Sequence, residues 1–471
     1  MPVSGDVEIR DIIEELKEEL TPSPEERVLV KGTISEAVGR LKSALADLGL
    51  PAEPTPVGSA VRDTWLPGKA DIDIFLLFPL DYPSDELGPA TLAAAERAFG
   101  AYKLRYASHP YAVVELNGFE IDVVPAYRIS NYTELRSPVD RTPLHNRFLL
   151  ERLNDRMRSE IRLLKAFLRG IGAYGAELAV GGFSGYLAEL LILKYGSFLD
   201  LVKSASAWRP PVSLTLEGEP PDWVAESESP LIFVDPVDPR RNVASAVTET
   251  QLNRFRSACS AFLKQPSREF FTEKTLPPVS RQELARMLKD RGTTLLLVLY
   301  EGLAEPPDTL WSQAISGAFR LKRALEEAGF NPLQAEGWTD ETSRIALVLE
   351  VERAVLPVVE KRVGPEVGGP GEAGFLKKHL GARDTLGGPF IEGSRWVAFK
   401  ARRLTSLRDV VEELTSGVES ILPKLLRGSE PRILLQDDSD FPGWDDLLPF
   451  LGEFLRRRRD FFAERLVPPE D

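Results

Sequence analysis

At 471 residues the chain is long enough for roughly two to four domains, and it holds no apolar run near the ~20 residues that a membrane span needs. Three histidines and one cysteine, Cys259, leave no zinc cluster and no intramolecular disulfide, so a metal would be held by carboxylates. A net charge of −14 argues against gripping nucleic acid over the whole surface, and the acidic N-terminus, without the basic and apolar regions of a signal peptide, points to the cytoplasm.

The first 30 residues carry nine Asp/Glu against three Lys/Arg and read as a solvated helix. Ser23-Pro24-Glu25-Glu26 starts the next one, with Ser23 as N-cap, Pro24 in the first turn and Glu26 closing a capping box. Val30, Ile34, Val38, Leu41, Leu45 and Leu48 keep helical spacing until Gly49. A Gly58-Ser59 turn follows, with Arg62 close behind, and residues 71–78 (DIDIFLLF) read as a buried strand. Residues 89–99 are helical. YAVVEL (111–116) and FEIDVVP (119–125) are strands joined by Asn117-Gly118, a strong hairpin signal.

From 142 to 202 the pattern is helical. Leu153, Met157, Ile161, Leu164 and Leu168 form one stripe, and 183–202 is apolar nearly all round, a buried helix. Residues 208–230 read as a connection or hairpin. LIFVDPVDPRRN (231–242) is a strand stopped by two Asp-Pro steps, ahead of a helix over 243–263. Past 280, strands at 293–300 and 344–352 flank a helix at 308–328, a β-α-β unit, and 364–374 is a flexible loop. Residues 361–410 hold ten Lys/Arg against five Asp/Glu, a basic patch in an acidic chain. Its candidate RNA contacts are Lys377, Lys378, Arg395, Arg402 and Arg403. The chain ends in a helix containing residues 456–459. The whole is α+β and multidomain: an α/β head over 1–140, a helical neck over 141–270 and a C-terminal α/β body and tail over 271–471.

The chemistry gathers in the head. In a strand, positions two apart share a face, so Asp71 and Asp73 point one way while Ile72 and Ile74 point into the core. On the second hairpin strand Phe119, Ile121 and Val123 take one face, which leaves Asp122 on the other and able to meet the first two acids. Crowded carboxylates repel, and a hard cation such as Mg2+ resolves the conflict because it takes oxygen ligands and keeps substrate phosphates in its shell. Such a set suits a two-metal displacement at phosphorus. Gly58 and Ser59 would bind the outer phosphates, and Arg62 would offset their charge.

Residues 58–78, GSAVRDTWLPGKADIDIFLLF, resemble the Gly-Ser, Arg, Asp-x-Asp signature of the polymerase beta-like nucleotidyltransferase superfamily. More narrowly, the chain resembles the archaeal-type (class I) CCA-adding tRNA nucleotidyltransferases. RTPLHN (141–146), EIRLLKAFLRGIGAYGAE (160–177), GGFSGYLAELLILKYGSF (181–198), DPVDPRRNVA (235–244) and GPFIEGSRW (388–396) share that likeness. The resemblance implies Asp71, Asp73 and Asp122 as metal-binding catalytic carboxylates, and Gly58, Ser59 and Arg62 as the nucleotide-binding turn. It implies Thr142, His145, Lys165 and Tyr174 as contacts to triphosphate and sugar, and Arg241 as a reader of the incoming base. Mg2+, CTP, ATP and the 3′ end and acceptor stem of tRNA are the implied cofactor and partners, with RNA-binding C-terminal domains and a homodimer. Ala60-Val61 stands where Tyr-Ala is more usual, and Asp63 sets an acid beside the phosphate turn. Two other readings stay open. One is another enzyme with the same head, such as a poly(A) polymerase or an oligoadenylate or cyclic-dinucleotide synthase; the other is a relative that binds RNA without catalysis.

Overall fold

The computed structural model describes residues 4–106, 109–274, 277–416, 420–456 and 460–467. The chain divides into two compact units, Met1–Thr275 with Arg459–Asp471, and Leu276–Arg458.

The first unit begins with α1 (Ser4–Glu19) and α2 (Pro24–Asp47). Ser23 caps α2 by accepting from the Glu26 N–H at 3.1 Å. Glu26 does not close the expected capping box, because its carboxylate turns away to accept from the Gly68 N–H at 2.8 Å and the Trp65 indole at 3.3 Å. Nor is α1 simply solvated: Ile9, Ile13 and Leu16 are buried, and Lys17 pairs with the buried Glu160 at 2.9 Å.

Next come β1 (Glu53–Val57), the single turn α3 (Ser59–Arg62), β2 (Ile72–Phe78), α4 (Leu87–Phe99), β3 (Lys103–Tyr106), β4 (Pro110–Leu116) and β5 (Phe119–Tyr127). They build a five-stranded sheet in the order β1-β2-β5-β4-β3. The β4–β5 hairpin turns at Asn117 and Gly118, whose φ angles of 52° and 84° suit a tight two-residue turn. β2 and β5 run parallel at its centre, with Ile72 opposite Ile121, Asp73 opposite Asp122 and Ile74 opposite Val123. Ile72, Ile74, Ile121 and Val123 sink into one core with α2 and α4, and this leaves the two aspartates on the opposite face.

The helical part comprises α5 (Arg141–Leu150), α6 (Asp155–Gly170), α7 (Gly185–Tyr195), α8 (Phe198–Ser206) and α9 (Glu249–Lys264), with short strands β6 (Val212–Leu214) and β7 (Leu231–Phe233). The apolar run 183–202 is two helices, not one, because Gly196 takes φ 79° to end α7 and Ser197 caps α8. β6 and β7 pair in parallel, which excludes a hairpin over 208–230. Residues 243–248 form turns before Thr248 caps α9, so the expected helix starts later. Phe167 stands in a cage of rings from Phe198, Phe255, Phe262, Phe270 and Phe271. Cys259 is buried there. Phe461 packs edge-on against Phe270 and Phe462 stacks on it, so the described residues beyond the second unit belong to this core rather than to a C-terminal tail.

The second unit contains α10 (Arg281–Arg291), β8 (Thr294–Tyr300), α11 (Pro307–Ala328), β9 (Pro332–Thr339), β10 (Ile345–Val351), β11 (Val359–Glu366), α12 (Glu372–His379), β12 (Thr385–Glu392), β13 (Arg395–Ala401), α13 (Leu407–Thr415), β14 (Arg432–Leu435) and α14 (Leu448–Arg456). One sheet has the order β14-β8-β10-β9. β8 and β10 are antiparallel, and β9 intervenes after α11, so the expected β-α-β unit is a β-α-β-β arrangement. The two central strands, β8 and β10, are almost wholly apolar because both faces of the sheet are covered, one by α11 and α13 and the other by α10 and α14. A second sheet, β11-β13-β12, has α12 packed against it; the expected loop 364–374 is the end of β11, a turn and the start of α12. Of residues 456–459, Arg456 ends α14 and 457–459 lie outside the described residues.

Candidate active site

The parallel register sets Asp73 and Asp122 abreast, and Asp71 lies exposed just before β2. Loss of solvent pushes the Asp73 carboxyl up to about 7, with the negative charges of Asp122 and Asp71 adding to it. Asp122 is also raised by burial, against the pull of Arg105. Gly58 adjoins this pair: its φ is 84°, and a Cβ there would stand 2.3 Å from Asp73 Oδ2. Among the described residues no three His, Cys, Asp or Glu side chains form a ready-made metal cage.

Behind the turn lies a clamp that the sequence did not announce. Three cations of α6, spaced i, i+4 and i+7 and so on one helix face, donate to three successive carbonyls. Arg158 reaches Arg62 O at 2.9 Å, Arg162 reaches Asp63 O at 2.5 Å, and Lys165 reaches Thr64 O at 3.0 Å. From α7 the fully buried Glu189 accepts from Arg62 at 3.2 and 2.9 Å and from Thr64 Oγ1 at 2.5 Å, with Lys165 Nζ at 3.8 Å. Asn146 takes a further Arg62 N–H at 2.8 Å.

Two expected roles change accordingly. Arg62 is not an open counter-charge for phosphate, since its guanidinium is spent on Glu189 and Asn146. Lys165 is buried, with its amine bonded to Thr64 O; burial lowers that amine to about 8, against the pull of Glu189. Burial alone would raise Glu189, but Arg62 and Lys165 outweigh it and hold the carboxyl below its ordinary value. Asp63 is likewise not a bare acid beside the turn. It sits in the left-handed region at φ 56°, and its carboxylate is forked by Arg27 at 3.2 and 2.9 Å. Tyr174 lies beside Lys165 across Gly185, where a Cβ would meet Tyr174 OH at 3.0 Å and Lys165 Nζ at 3.8 Å, and burial pushes its phenol to about 12. Thr142 stands half-exposed in the first turn of α5.

A second cluster explains the DPVDPRR stretch. Asp235 accepts from Arg241 Nη1 and from His145 Nε2, both at 2.9 Å, from Tyr186 OH at 3.2 Å and from the Val237 N–H at 3.0 Å. The His145 ring stacks on Tyr186 at 3.9 Å. Burial works to raise Asp235, but the bonds from His145, Val237 and Arg241 hold it below its ordinary value. Asp238 pairs in the same way with Arg141 and Arg240, each at 2.9 Å. The two buried acids thus orient the arginines that follow them.

In the second unit, Lys377 and Lys378 are exposed in the last turn of α12. Arg395 donates to Gly364 O at 2.9 Å. Arg402 is drawn in to Ala328 O at 3.1 Å and Glu360 at 3.2 Å, and Arg403 pairs with Glu413. Arg402 and Arg403 are thus each paired with a carboxylate, Arg402 half-buried and Arg403 at the surface.

Two aspartates abreast on parallel strands, beside a Gly-Ser turn, define a nucleotidyltransferase head, and the nucleotidyltransferase domain model matches residues 38–152. The second domain of tRNA nucleotidyltransferase matches 159–272, and the C-terminal domain of CCA-adding enzyme matches 291–424. The CCA-adding enzyme of Methanothermobacter thermautotrophicus is 38% identical over 90% of this chain and 93% of its own. That of Methanopyrus kandleri is 37% identical over 95% of this chain and 96% of its own, and that of Pyrobaculum neutrophilum 37% over 87% and 94%. The chain belongs to the CCA-adding enzyme family. Among solved structures, a cytoplasmic RNA terminal U-transferase overlaps 57% of this chain at 17% identity and a TM-score of 0.45.

Proposed function

We infer that this chain builds and repairs the 3′-terminal CCA of tRNA from CTP and ATP, without a nucleic-acid template. The observation that carries the reading is the Asp73–Asp122 pair abreast beside Gly58 in a chain of this family. The RNA 3′ hydroxyl attacks the α-phosphorus of the nucleotide, and pyrophosphate leaves.

A carboxyl pushed to about 7 by burial and two neighbouring acids fits a hard divalent ion such as Mg2+, whose remaining ligands are substrate oxygens and water. Asp71, Asp73 and Asp122 would hold it; when bound, such an ion offsets phosphate charge and makes a hydroxyl more acidic. Gly58 keeps space for phosphate oxygens beside Asp73, and Ser59 offers a hydroxyl there. The α6 clamp and Glu189 fix the backbone of that turn. His145, Thr142 and Tyr174 border the nucleotide, and Arg241 reads its base. Lys377 and Lys378 meet the RNA backbone, where shape rather than sequence is recognised.

The test uses a tRNA transcript lacking its last three residues, with labelled CTP, ATP or both. Two additions from CTP, and a third only when ATP is present, are expected. Long A-tails, or products formed without RNA, overturn the reading.

A further inference from the structure

We propose that Asp235 is a specificity-determining residue that acts through Arg241, locking its guanidinium in the orientation that accepts C and A but not U and G. The inference rests on the reading of Arg241 as the base-reading group. A guanidinium has only N–H donors, so one free to swing would donate to the carbonyls of U or G as readily as to the ring nitrogens of C or A. Discrimination needs a donor fixed where the Watson–Crick ring nitrogen arrives. That atom is an acceptor in C and A and an N–H in U and G, so a fixed donor bonds the first two and is left unpaired against the others.

The geometry supplies such fixation. Asp235 is fully buried, and both its oxygens are taken. Oδ2 receives Arg241 and His145, and Oδ1 receives Tyr186 and the Val237 N–H. The Asp235 N–H also donates to Arg241 O at 3.0 Å, so backbone and side chain close one ring. The Arg241 side chain keeps 35% exposure. It is held at one edge and reachable at the other.

The experiment measures kcat/KM for CTP and for UTP on tRNA ending before the first C, in wild type, Asp235→Asn, Arg241→Ala and the double variant. Asp235→Asn should lower the CTP/UTP ratio by about tenfold or more, and the double variant should match Arg241→Ala alone, since coupled residues are not additive. An unchanged ratio with a uniform loss of rate, or fully additive losses in the double variant, overturns the proposal. If Asp235→Asn does not fold, Tyr186→Phe, which removes one bond to the carboxylate, takes its place; a lowered ratio supports the proposal and an unchanged ratio overturns it. Wild type that adds no nucleotide overturns the functional reading itself, and the inference with it.

Discussion

Gly58 is the residue at which backbone conformation and chemistry meet. Its positive φ and the 2.3 Å approach of a notional Cβ to Asp73 Oδ2 admit no side chain without moving the carboxylate. Gly58→Ala should therefore cut kcat/KM for CTP by about 100-fold, the scale expected from a displacement near 1 Å at a reacting centre, and should also lower the melting temperature, because alanine is strained at a positive φ. A rate within threefold of wild type would show that the turn does not need this approach. The acids themselves were legible in the sequence, because strand alternation and the Asn117-Gly118 hairpin fix which side chains share a face. The fates of Arg62 and Lys165 were not. Their partner Glu189 lies 127 residues from Arg62 in the chain, and local spacing carries no record of such a pairing. The one available signal was a glutamate inside the otherwise apolar run LAELLI.

Among the elements, α6 and α7 act together on the nucleotide turn. One supplies three cations to consecutive carbonyls, and the other supplies the carboxylate that pairs with both Arg62 and Lys165. Removing one member of a buried ion pair strands the remaining charge at a cost of about 3–5 kcal/mol. Glu189→Ala should accordingly destabilise the first unit by that order in denaturant unfolding, and Glu189→Gln, which keeps an acceptor, by less. Equal stability of all three proteins would mean that solvent replaces the carboxylate. Helix type and approximate extent were readable here from apolar periodicity. Breaks were harder: Gly196 lies within a largely apolar run, where its left-handed conformation and the Ser197 cap separate α7 from α8. In the second unit, β9 went unread because its sequence, PLQAEGWT, alternates weakly, and without it β8 and β10 passed for a parallel pair.

For the molecule as a whole, an acidic chain that handles tRNA must hold the RNA through few local cations. Lys377 and Lys378 are exposed and have no ion-pair partner among the described residues, whereas Arg402 and Arg403 are paired. Each lysine replaced by alanine should weaken tRNA binding and reduce the slope of log affinity against log salt by about 1. Arg403→Ala should leave that slope unchanged. A slope lowered by Arg403→Ala and untouched by the lysine variants would move the RNA contact to the connection between β13 and α13. The basic excess over 361–410 was visible in the sequence, but composition could not say which cations are consumed by Glu360 and Glu413. Nor could it say that Phe461 and Phe462 return to the core of the first unit.

Asp73, abreast of Asp122, is the residue on which the proposed nucleotidyl transfer most depends. The most direct test is the single-turnover rate of adding one C from CTP to tRNA lacking CCA, by wild type and by Asp73→Asn, at matched melting temperature and tRNA affinity. A fall of at least about 100-fold in the variant is predicted. A rate equal to wild type would place the reaction elsewhere in the molecule.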